Sequence, residues 1–262
     1  MRSIVVLVAI LLPLAVAGQE PPPVRPTRQI SLFNHKNLDG WTIWLHDHHR
    51  DDPSRVFSAV DGTIRISGEE WGGIATVGAY RDYRLVVEWK WGGATWGERK
   101  DRARDSGILV HGVGADGAAS GNWIESIESQ VIEGGAGDYI MVGGAGHPSV
   151  TAHARADGDE TYWDATADVR TITEGRLNWF GRDPAWKDQV GFRGRRDVER
   201  PTGEWNRQEI VADGDRLTTI LNGVKVNEAS GSSHTAGRIQ LQSEGAEIVI
   251  RAVDLYPLKT AR

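Results

Sequence analysis

Apolar and polar side chains alternate at every second residue along much of this chain. Over residues 83–91 one face is aromatic or aliphatic, whereas Glu88 and Lys90 fall on the other face. Successive side chains of a β-strand point to opposite sides, so this spacing is typical of a strand with one buried face. The other runs of this kind are residues 56–60, 63–67, 107–111, 126–132, 208–211, 216–221, 238–242 and 247–255.

Short turn signals separate these runs. Asp-Gly, Asn-Gly and Glu-Gly pairs lie between many of them, and such pairs favour tight hairpin turns. After the first 17 residues no 11-residue window keeps a helical apolar stripe, although a short helix near Pro184–Gln189 fits the pattern. Many short strands without crossover helices predict an all-β, antiparallel β-sandwich or jelly roll. The concave outer face of such a sandwich is a natural ligand groove.

Residues 1–17 have the features of a secretory signal peptide. Arg2 precedes an apolar run, and small residues occupy positions 15 and 17, which predicts cleavage after Ala17. The run is shorter than the ~20 residues that a membrane span needs. We therefore expect an exported protein, periplasmic or extracellular, with no membrane span in its mature form. Residues 18–27 are proline-rich and predict an extended linker, and residues 28–262 predict a single domain.

Charge and the lack of cysteine exclude several classes of function. The chain has 30 Lys and Arg against 36 Asp and Glu, a formal net charge of −6. Nonspecific binding to nucleic acid is therefore not expected, because it needs a basic surface for the phosphates. The sequence contains no cysteine, which excludes disulfides, thiolate catalysis and cysteine-ligated metal sites.

The strand predicted at 126–132 carries the strongest candidate for a functional site. Alternation places Glu128 and Gln130 on the face opposite its apolar residues, and a bulge at the strand end would turn Glu133 onto the same face. Carboxylates a few residues apart can act as acid and base toward a sugar. We predict these three residues as catalytic and Trp123, which precedes the strand, as a substrate contact. A solvated sheet face would show the same alternation.

A second predicted strand begins near Asp105 and ends at His111, and alternation places these two residues on the same face. Histidine titrates near neutral pH and can serve as a general base. We predict His111 as catalytic and Asp105 as substrate-binding if this strand neighbours Glu128. Lys90 is expected beside Glu128 as a further substrate contact.

Two long charged loops, residues 92–104 and 181–200, follow different strands. Loops of this length often carry function or form lids. Arg104 in the first loop and Arg193 in the second are therefore predicted to bind substrate.

Seven motifs, taken in order, resemble the 3-keto-disaccharide hydrolase family. They are Ser31-Leu32-Phe33-Asn34 through Leu38-Asp39-Gly40-Trp41, Val56-Phe57 with Asp61-Gly62, Tyr83 to Trp91, Asp105-Ser106-Gly107-Ile108, Glu128-Ser129-Gln130-Val131-Ile132, Pro201-Thr202-Gly203-Glu204-Trp205-Asn206, and Leu221-Asn222-Gly223. The resemblance spans about Ser31 to Leu258. It implies a concanavalin-like sandwich that cleaves glycosides oxidised to a ketone at C3 of the sugar. It also implies a sugar 3-dehydrogenase as a partner that supplies this substrate.

A ketone at C3 acidifies the C2 hydrogen, so a base can remove it, the C1 substituent can leave, and water can add back. This route needs a base at C2, a cation at the enolate oxygen and an acid at the leaving oxygen. We expect Glu128 or His111 as the base, Lys90 or Arg104 at the enolate, and Gln130 at a hydroxyl group.

No cofactor is required by this chemistry, but a divalent cation would also serve the enolate. Its expected ligands are Glu128, Asp105 or Glu133, together with His111. The sequence leaves this metal site open.

Two other function classes remain. Glu128-x-Gln130-x-x-Glu133 differs at one position from the Glu-x-Asp-x-x-Glu motif of laminarinase-type glycosidases, whose central Asp tunes the two glutamates. Gln130 carries no charge, which makes a direct retaining hydrolase the weaker hypothesis. A non-catalytic carbohydrate-binding module is favoured if Glu128 and His111 do not face one groove.

Overall fold

The computed structural model describes residues 22–144 and 146–259. In this part of the chain the strands are β1 Ile30–Ser31, β2 Trp41–Leu45, β3 Phe57–Val60, β4 Thr63–Ile66, β5 Gly72–Thr76, β6 Tyr83–Thr95, β7 Asp105–Val113, β8 Glu125–Ile132, β9 Tyr139–Val142, β10 Val150–Asp157, β11 Glu160–Trp163, β12 Val169–Ile172, β13 Arg176–Leu177, β14 Asn206–Asp213, β15 Arg216–Leu221, β16 Val224–Ala229, β17 Arg238–Ser243 and β18 Ala246–Pro257. The helical structure of the described residues is one 3-10 turn, Gly97–Arg99.

The strands form two large antiparallel sheets and one small sheet. The eight-stranded sheet has the order β16-β15-β14-β6-β18-β4-β3, with β1 beside β18. The seven-stranded sheet has the order β13-β9-β8-β7-β17-β5-β2, and β11-β10-β12 form the small sheet. The predicted all-β, antiparallel sandwich is confirmed. Turns replace the short helix expected near Pro184–Gln189.

Each strand predicted from alternation is present, and its predicted ends agree with the observed ends to within a few residues. The run at 83–91 continues to Thr95 in β6, and the run at 126–132 begins at Glu125 in β8. The strand β5, Gly72–Thr76, was not predicted, because all five of its residues are buried and two are glycine. A strand that is buried on both faces loses the alternation on which the prediction depends.

The two large sheets bury their apolar faces against each other. Val110 of β7 and Ile127 of β8 belong to the same core cluster as Leu85 and Trp89 of β6 in the opposite sheet. Ser129 of β8 also reaches that sheet, where its Oγ lies 3.0 Å from the Oγ1 of Thr219. Odd-numbered residues of β8 therefore face inward, and Glu128 and Gln130 face away from the core.

The predicted signal peptide, residues 1–17, lies outside the described residues. Residues 22–27 of the predicted linker are described, and one of them pairs with the sandwich: Val24 donates its N–H to Ala79 O at 2.8 Å. No helix in residues 22–144 and 146–259 is both long and apolar enough to cross a membrane.

Candidate active site

The outer face of the seven-stranded sheet carries a cavity of about 260 Å³. Glu128 lines this cavity, and its strand β8 pairs it with Leu109 of β7 on one side and Ile140 of β9 on the other. The charged and amide side chains that line the cavity come from four strands and two adjoining segments: Arg99, Asp105, Glu128, Gln130, Arg176, Gln242 and Glu244.

Glu128 is a buried carboxyl group with one unsatisfied oxygen. Its Oε2 accepts a hydrogen bond from Gln242 Nε2 at 3.4 Å. Its Oε1 has no hydrogen-bond partner among the described residues. Burial, reinforced by the carboxyl group of Asp105, raises the pKa of Glu128 to about 8, against the opposing effects of Arg176 and Gln242. A carboxyl group tuned in this way can exchange a proton with a ligand near neutral pH.

Gly107 provides the space in which the Glu128 side chain lies. A Cβ atom on Gly107 would overlap both Glu128 Oε1 and Gln242 Oε1. Because β7 runs between the strands that carry these two residues, both side chains fold over the bare glycine. The absence of a side chain at position 107 therefore sets the position of the carboxyl group.

Two further carboxyl groups line the same cavity. Asp105 accepts a hydrogen bond from Arg99 through Oδ2, and its Oδ1 lacks a partner in the described part of the chain. Burial raises the pKa of Asp105 to about 6, although Arg99 and Arg176 oppose the shift. Burial, followed by the Asp105 and Glu128 carboxyl groups, raises the pKa of Glu244 well above its ordinary value. Three carboxyl groups so close together cannot all ionise near neutral pH.

Arg176, on the edge strand β13, is one of two arginines that line the cavity. It starts β13 beside Ile140, and its Nη1 donates to Asp138 Oδ2 at 2.7 Å. Asp138 is fully buried and also binds Arg182 and the backbone N–H of Trp179. These bonds hold the Arg176 guanidinium at the rim of the cavity, where it can stabilise negative charge on a ligand.

Two further residues predicted from the sequence, Gln130 and Trp123, also line this cavity. Gln130 is anchored through its Oε1, which accepts the N–H of Val131 at 2.9 Å. The Trp123 indole donates to Gly72 O at 3.1 Å and stacks on Trp71 with ring centroids 5.7 Å apart. The structure therefore brings Trp123, Asp105, Glu128 and Gln130 together.

His111 lies elsewhere, and its predicted position beside Glu128 is wrong. A β-bulge interrupts the pairing of β7 with β8 between Val110 and Val113, and His111 has a φ of 55°. The bulge reverses the alternation, so the ring packs edge-on against Tyr83 of the opposite sheet at 5.7 Å. Burial lowers the pKa of His111 to about 4. The imidazole is thus neutral and enclosed.

Lys90 also lies away from Glu128, contrary to the prediction. It belongs to β6, the central strand of the eight-stranded sheet. Its neighbour Trp89 points into the core, so Lys90 faces the opposite outer surface, where its Nζ lies 4.8 Å from the centre of the Trp205 ring. The whole thickness of the sandwich separates Lys90 from Glu128.

Glu133 also lies away from Glu128, contrary to the prediction. It follows the end of β8, and no bulge turns it toward Glu128. Its Oε1 accepts from Arg104 Nη1 at 2.6 Å, and its Oε2 accepts the N–H groups of Arg104 and Gly191 at 2.9 and 2.8 Å. Glu133 and Arg104 are thus bound to each other outside the cavity and anchor the loop at 181–200. Arg193, in that loop, is exposed and binds Asp197 and Glu199 O.

We expect Glu133→Ala to lower stability rather than to block chemistry. Removing one member of a buried ion pair typically costs about 3–5 kcal/mol, because its partner stays buried without compensation. Arg104→Ala should have a similar effect, since it breaks the same pair. Thermal unfolding and the activity per folded molecule should be measured on both variants. A fully folded Glu133→Ala protein without activity would contradict this structural role.

The ligand set suggested for a divalent cation is not brought together. Glu128 and Asp105 share the cavity, but His111 lies between the sheets and Glu133 is bound to Arg104. Across residues 22–144 and 146–259, no group of three or more His, Asp or Glu side chains is arranged to hold a metal ion.

Sequence reasoning missed four residues of this cavity: Arg99, Arg176, Gln242 and Glu244. Gln242 lay in a predicted strand and could have been assigned to one face by alternation. Glu244 lay in a Glu-Gly turn signal. Nothing local marks Arg176, because β13 is only two residues long.

The sequence of residues 28–255 matches the 3-keto-alpha-glucoside-1,2-lyase-like domain family. The chain belongs to this family. The predicted resemblance is thereby confirmed over most of the chain, and membership of a 3-keto-alpha-glucoside-1,2-lyase-like family supports a carbohydrate-active function. Among curated proteins, none is significantly similar in sequence to this chain.

Two solved structures with TM-scores above 0.5 show the same fold. A proposed glycosyl hydrolase from Parabacteroides distasonis ATCC 8503 is 19% identical, with a TM-score of 0.52 over 88% of this chain and 100% of that chain. A second structure of a proposed glycosyl hydrolase from the same organism is 20% identical, with a TM-score of 0.52 over 88% and 94%. The β-glucanase of Bacillus licheniformis is 9% identical, with a TM-score of 0.44 over 87% and 97%.

Proposed function

We propose that this protein cleaves 3-keto-glycosides by elimination across C1 and C2 of the sugar, followed by hydration. Family membership supports the substrate class. The observation that carries the proposal is Glu128, whose unpartnered Oε1 lies in a cavity that two other carboxyl groups and two arginines also line. Proton transfer at carbon needs a strong, desolvated base, and burial gives Glu128 that character.

In the first step the ionised Glu128 removes the proton from C2. The C–H electrons form a C2=C3 double bond, and negative charge develops on the C3 oxygen. Arg176 is the residue assigned to this oxygen, because its guanidinium is already held at the cavity rim by Asp138. Gln130 and Gln242 are assigned to hydroxyl groups of the sugar.

In the second step the C3 carbonyl re-forms, a C1=C2 double bond appears, and the bond from C1 to the leaving oxygen breaks. Glu244 is assigned as the acid that protonates the leaving oxygen, because burial raises its pKa well above the ordinary value and so favours its protonated form. Water then adds its hydroxyl group to C1 while Glu128 returns a proton to C2, and Glu244 takes the remaining proton of the water. The net reaction is hydrolysis.

A laminarinase-type retaining mechanism has less support. That mechanism needs two carboxyl groups about 5–5.5 Å apart on opposite sides of the glycosidic bond. In the motif Glu128-x-Gln130-x-x-Glu133 the second glutamate is bound to Arg104 outside the cavity. Gln130 occupies the position of the central Asp, and its neutral amide cannot carry the negative charge of that Asp.

Non-catalytic carbohydrate binding is the second candidate, because Glu128 and His111 do not face one groove. It predicts that the protein binds sugars and turns none over. A cavity with three carboxyl groups is an unfavourable environment for a purely binding site, since each buried acid costs desolvation free energy. We therefore rank catalysis first.

Export to the periplasm or the extracellular space remains part of the proposal, motivated by residues 1–17. Mass spectrometry of secreted or periplasmic protein should find an N-terminus at Gly18. A sugar 3-dehydrogenase in the same compartment would supply the keto substrate.

The decisive comparison uses one glycoside in two forms. Purified protein is incubated with a 3-keto-glycoside and with its unoxidised parent, and release of the leaving group is followed by chromatography. Elimination predicts cleavage of the keto form alone. Cleavage of the parent would favour direct glycoside hydrolysis, and turnover of neither form would favour the binding module.

The pH dependence should report the ionisation of Glu128. With a pKa of about 8, about one molecule in ten carries the base form at pH 7. We therefore expect kcat/KM to rise about tenfold between pH 7 and pH 9 as Glu128 ionises. Initial rates, corrected for spontaneous decay of the keto sugar, test this. A rate that declines steadily above pH 6 would contradict Glu128 as the base.

A further inference from the structure

A second cavity, of about 340 Å³, lies beside the first. Its walls include the rings of Trp71 and Trp96, and Trp96 is 39% exposed. The Trp96 indole donates to Ser67 O at 3.0 Å, which fixes the ring. Flat, half-exposed tryptophan rings are suited to stacking against the apolar face of a sugar.

The two cavities share a wall. Trp71 of the second cavity stacks on Trp123 of the first, with ring centroids 5.7 Å apart. Glu244 lines the first cavity, and its neighbour Gly245 lines the second. The acid assigned to the leaving oxygen therefore lies at the boundary between the two cavities.

The second cavity is acidic. Four carboxylate residues line it, namely Asp47, Glu69, Glu70 and Glu98, whereas its lining contains no Lys or Arg. Although burial opposes it, hydrogen bonds from His48 and from two backbone N–H groups lower the pKa of Glu70. Within the described part of the chain, Asp47, Glu69 and Glu98 make no ion pair. The one histidine in the lining, His46, bonds through its Nδ1 to Asn122 Oδ1 at 2.8 Å.

We propose that this second cavity receives the leaving group of the substrate, and that it accepts an uncharged or cationic sugar and rejects an anionic one. The inference rests on the proposed function, because Glu244 defines which group leaves. A glycoside whose keto sugar occupies the first cavity would extend its C1 substituent past Glu244 onto the two tryptophan rings. A uronate, sulfate or phosphate on that substituent would then face the unpaired carboxylates, and like charges repel.

Three 3-keto-disaccharides of one linkage test the selectivity, with glucose, 2-amino-glucose or glucuronate as the leaving sugar. A 3-keto methyl glucoside serves as the substrate without a second sugar. At low salt we expect kcat/KM for the glucuronate to be at least about tenfold below that for glucose, with the amino sugar equal to glucose or better. In the double variant Glu69→Gln/Glu98→Gln, the difference in kcat/KM between the glucose and glucuronate substrates should become smaller.

Trp96→Ala should lower kcat/KM for the neutral disaccharide about tenfold and leave the methyl glucoside nearly unchanged. Trp205→Ala, on the outer face of the opposite sheet, is the matched control and should affect neither substrate. Equal kcat/KM values of the wild type for all three leaving sugars would overturn the inference. Equal losses for the disaccharide and the methyl glucoside in Trp96→Ala would also overturn it. In both cases the proposed function stands.

Saturation-transfer NMR on the unoxidised disaccharides gives a readout that needs no turnover. Contacts to the second sugar that disappear in Trp96→Ala would support the cavity as its site even if no cleavage were found. Contacts to the first sugar alone would overturn it.

Discussion

Glu128→Gln should lower kcat/KM on a 3-keto-glycoside by about 10²–10⁴-fold, the usual contribution of a general base. The substitution keeps the shape of the side chain and removes its ability to accept a proton. The matched control is Glu204→Gln, an exposed position in the loop before β14, which should keep full activity. Steady-state rates on both variants check this, and near-normal turnover by Glu128→Gln would remove Glu128 from the mechanism.

The same substitution should stabilise the protein at alkaline pH. Burial raises the folded-state pKa of Glu128 from its ordinary value of 4.5 to about 8. Between these values the folded chain binds more protons than the unfolded chain, so the wild type loses stability as pH rises through this range. Glutamine does not titrate, so Glu128→Gln should melt several degrees above the wild type at pH 9 and close to it at pH 5. If Glu128→Gln lost activity because it unfolds, it would instead melt below the wild type at both pH values.

Gly107→Ala should reduce activity at least about tenfold with little loss of stability, since displacing catalytic groups by as little as an ångström is costly. The new methyl group would overlap Glu128 Oε1 and Gln242 Oε1, which are the ends of flexible side chains and can move aside. The carboxyl group would therefore leave its position while the sheet stays intact.

Gly93→Ala is the matched control. Gly93 also lies in a strand, and nothing lies within 4 Å of a Cβ atom at that position. Kinetics and thermal unfolding should be measured together on both alanine variants. Full activity in Gly107→Ala would mean that the position of the Glu128 carboxyl group does not limit the reaction.

Alternation predicted the sandwich and the outward direction of Glu128 and Gln130, because a strand with one buried face repeats every two residues. The same rule failed at His111, where one bulge in β7 reversed the direction of the side chain. Bulges depend on pairing with a neighbouring strand, so a single run of sequence does not reveal them.

Alternation also could not assign strands to sheets. Lys90 and Glu128 both point outward, but β6 and β8 belong to different sheets, so they lie on opposite surfaces. Arg176 and Glu244 reach Glu128 through pairing between strands that are far apart in sequence. Such long-range order leaves no mark in the local pattern, and the carboxyl cluster therefore became visible only in the folded chain.

Cleavage of a 3-keto-glycoside in D₂O tests elimination most directly. After Glu128 removes the C2 proton, its carboxyl group exchanges that proton with D₂O while the leaving group departs and water enters, and the deuteron that it then returns places one deuterium at C2 of the released keto sugar, which NMR of the early product detects. The authentic keto sugar, held in the same buffer without enzyme, corrects for spontaneous exchange. With exchange at Glu128 before hydration, the mechanism predicts deuterium at C2 in the molecules released by the enzyme and slower cleavage of a substrate that carries deuterium at C2. Hydrogen fully retained at C2, together with equal rates for the C2-hydrogen and C2-deuterium substrates, would contradict it.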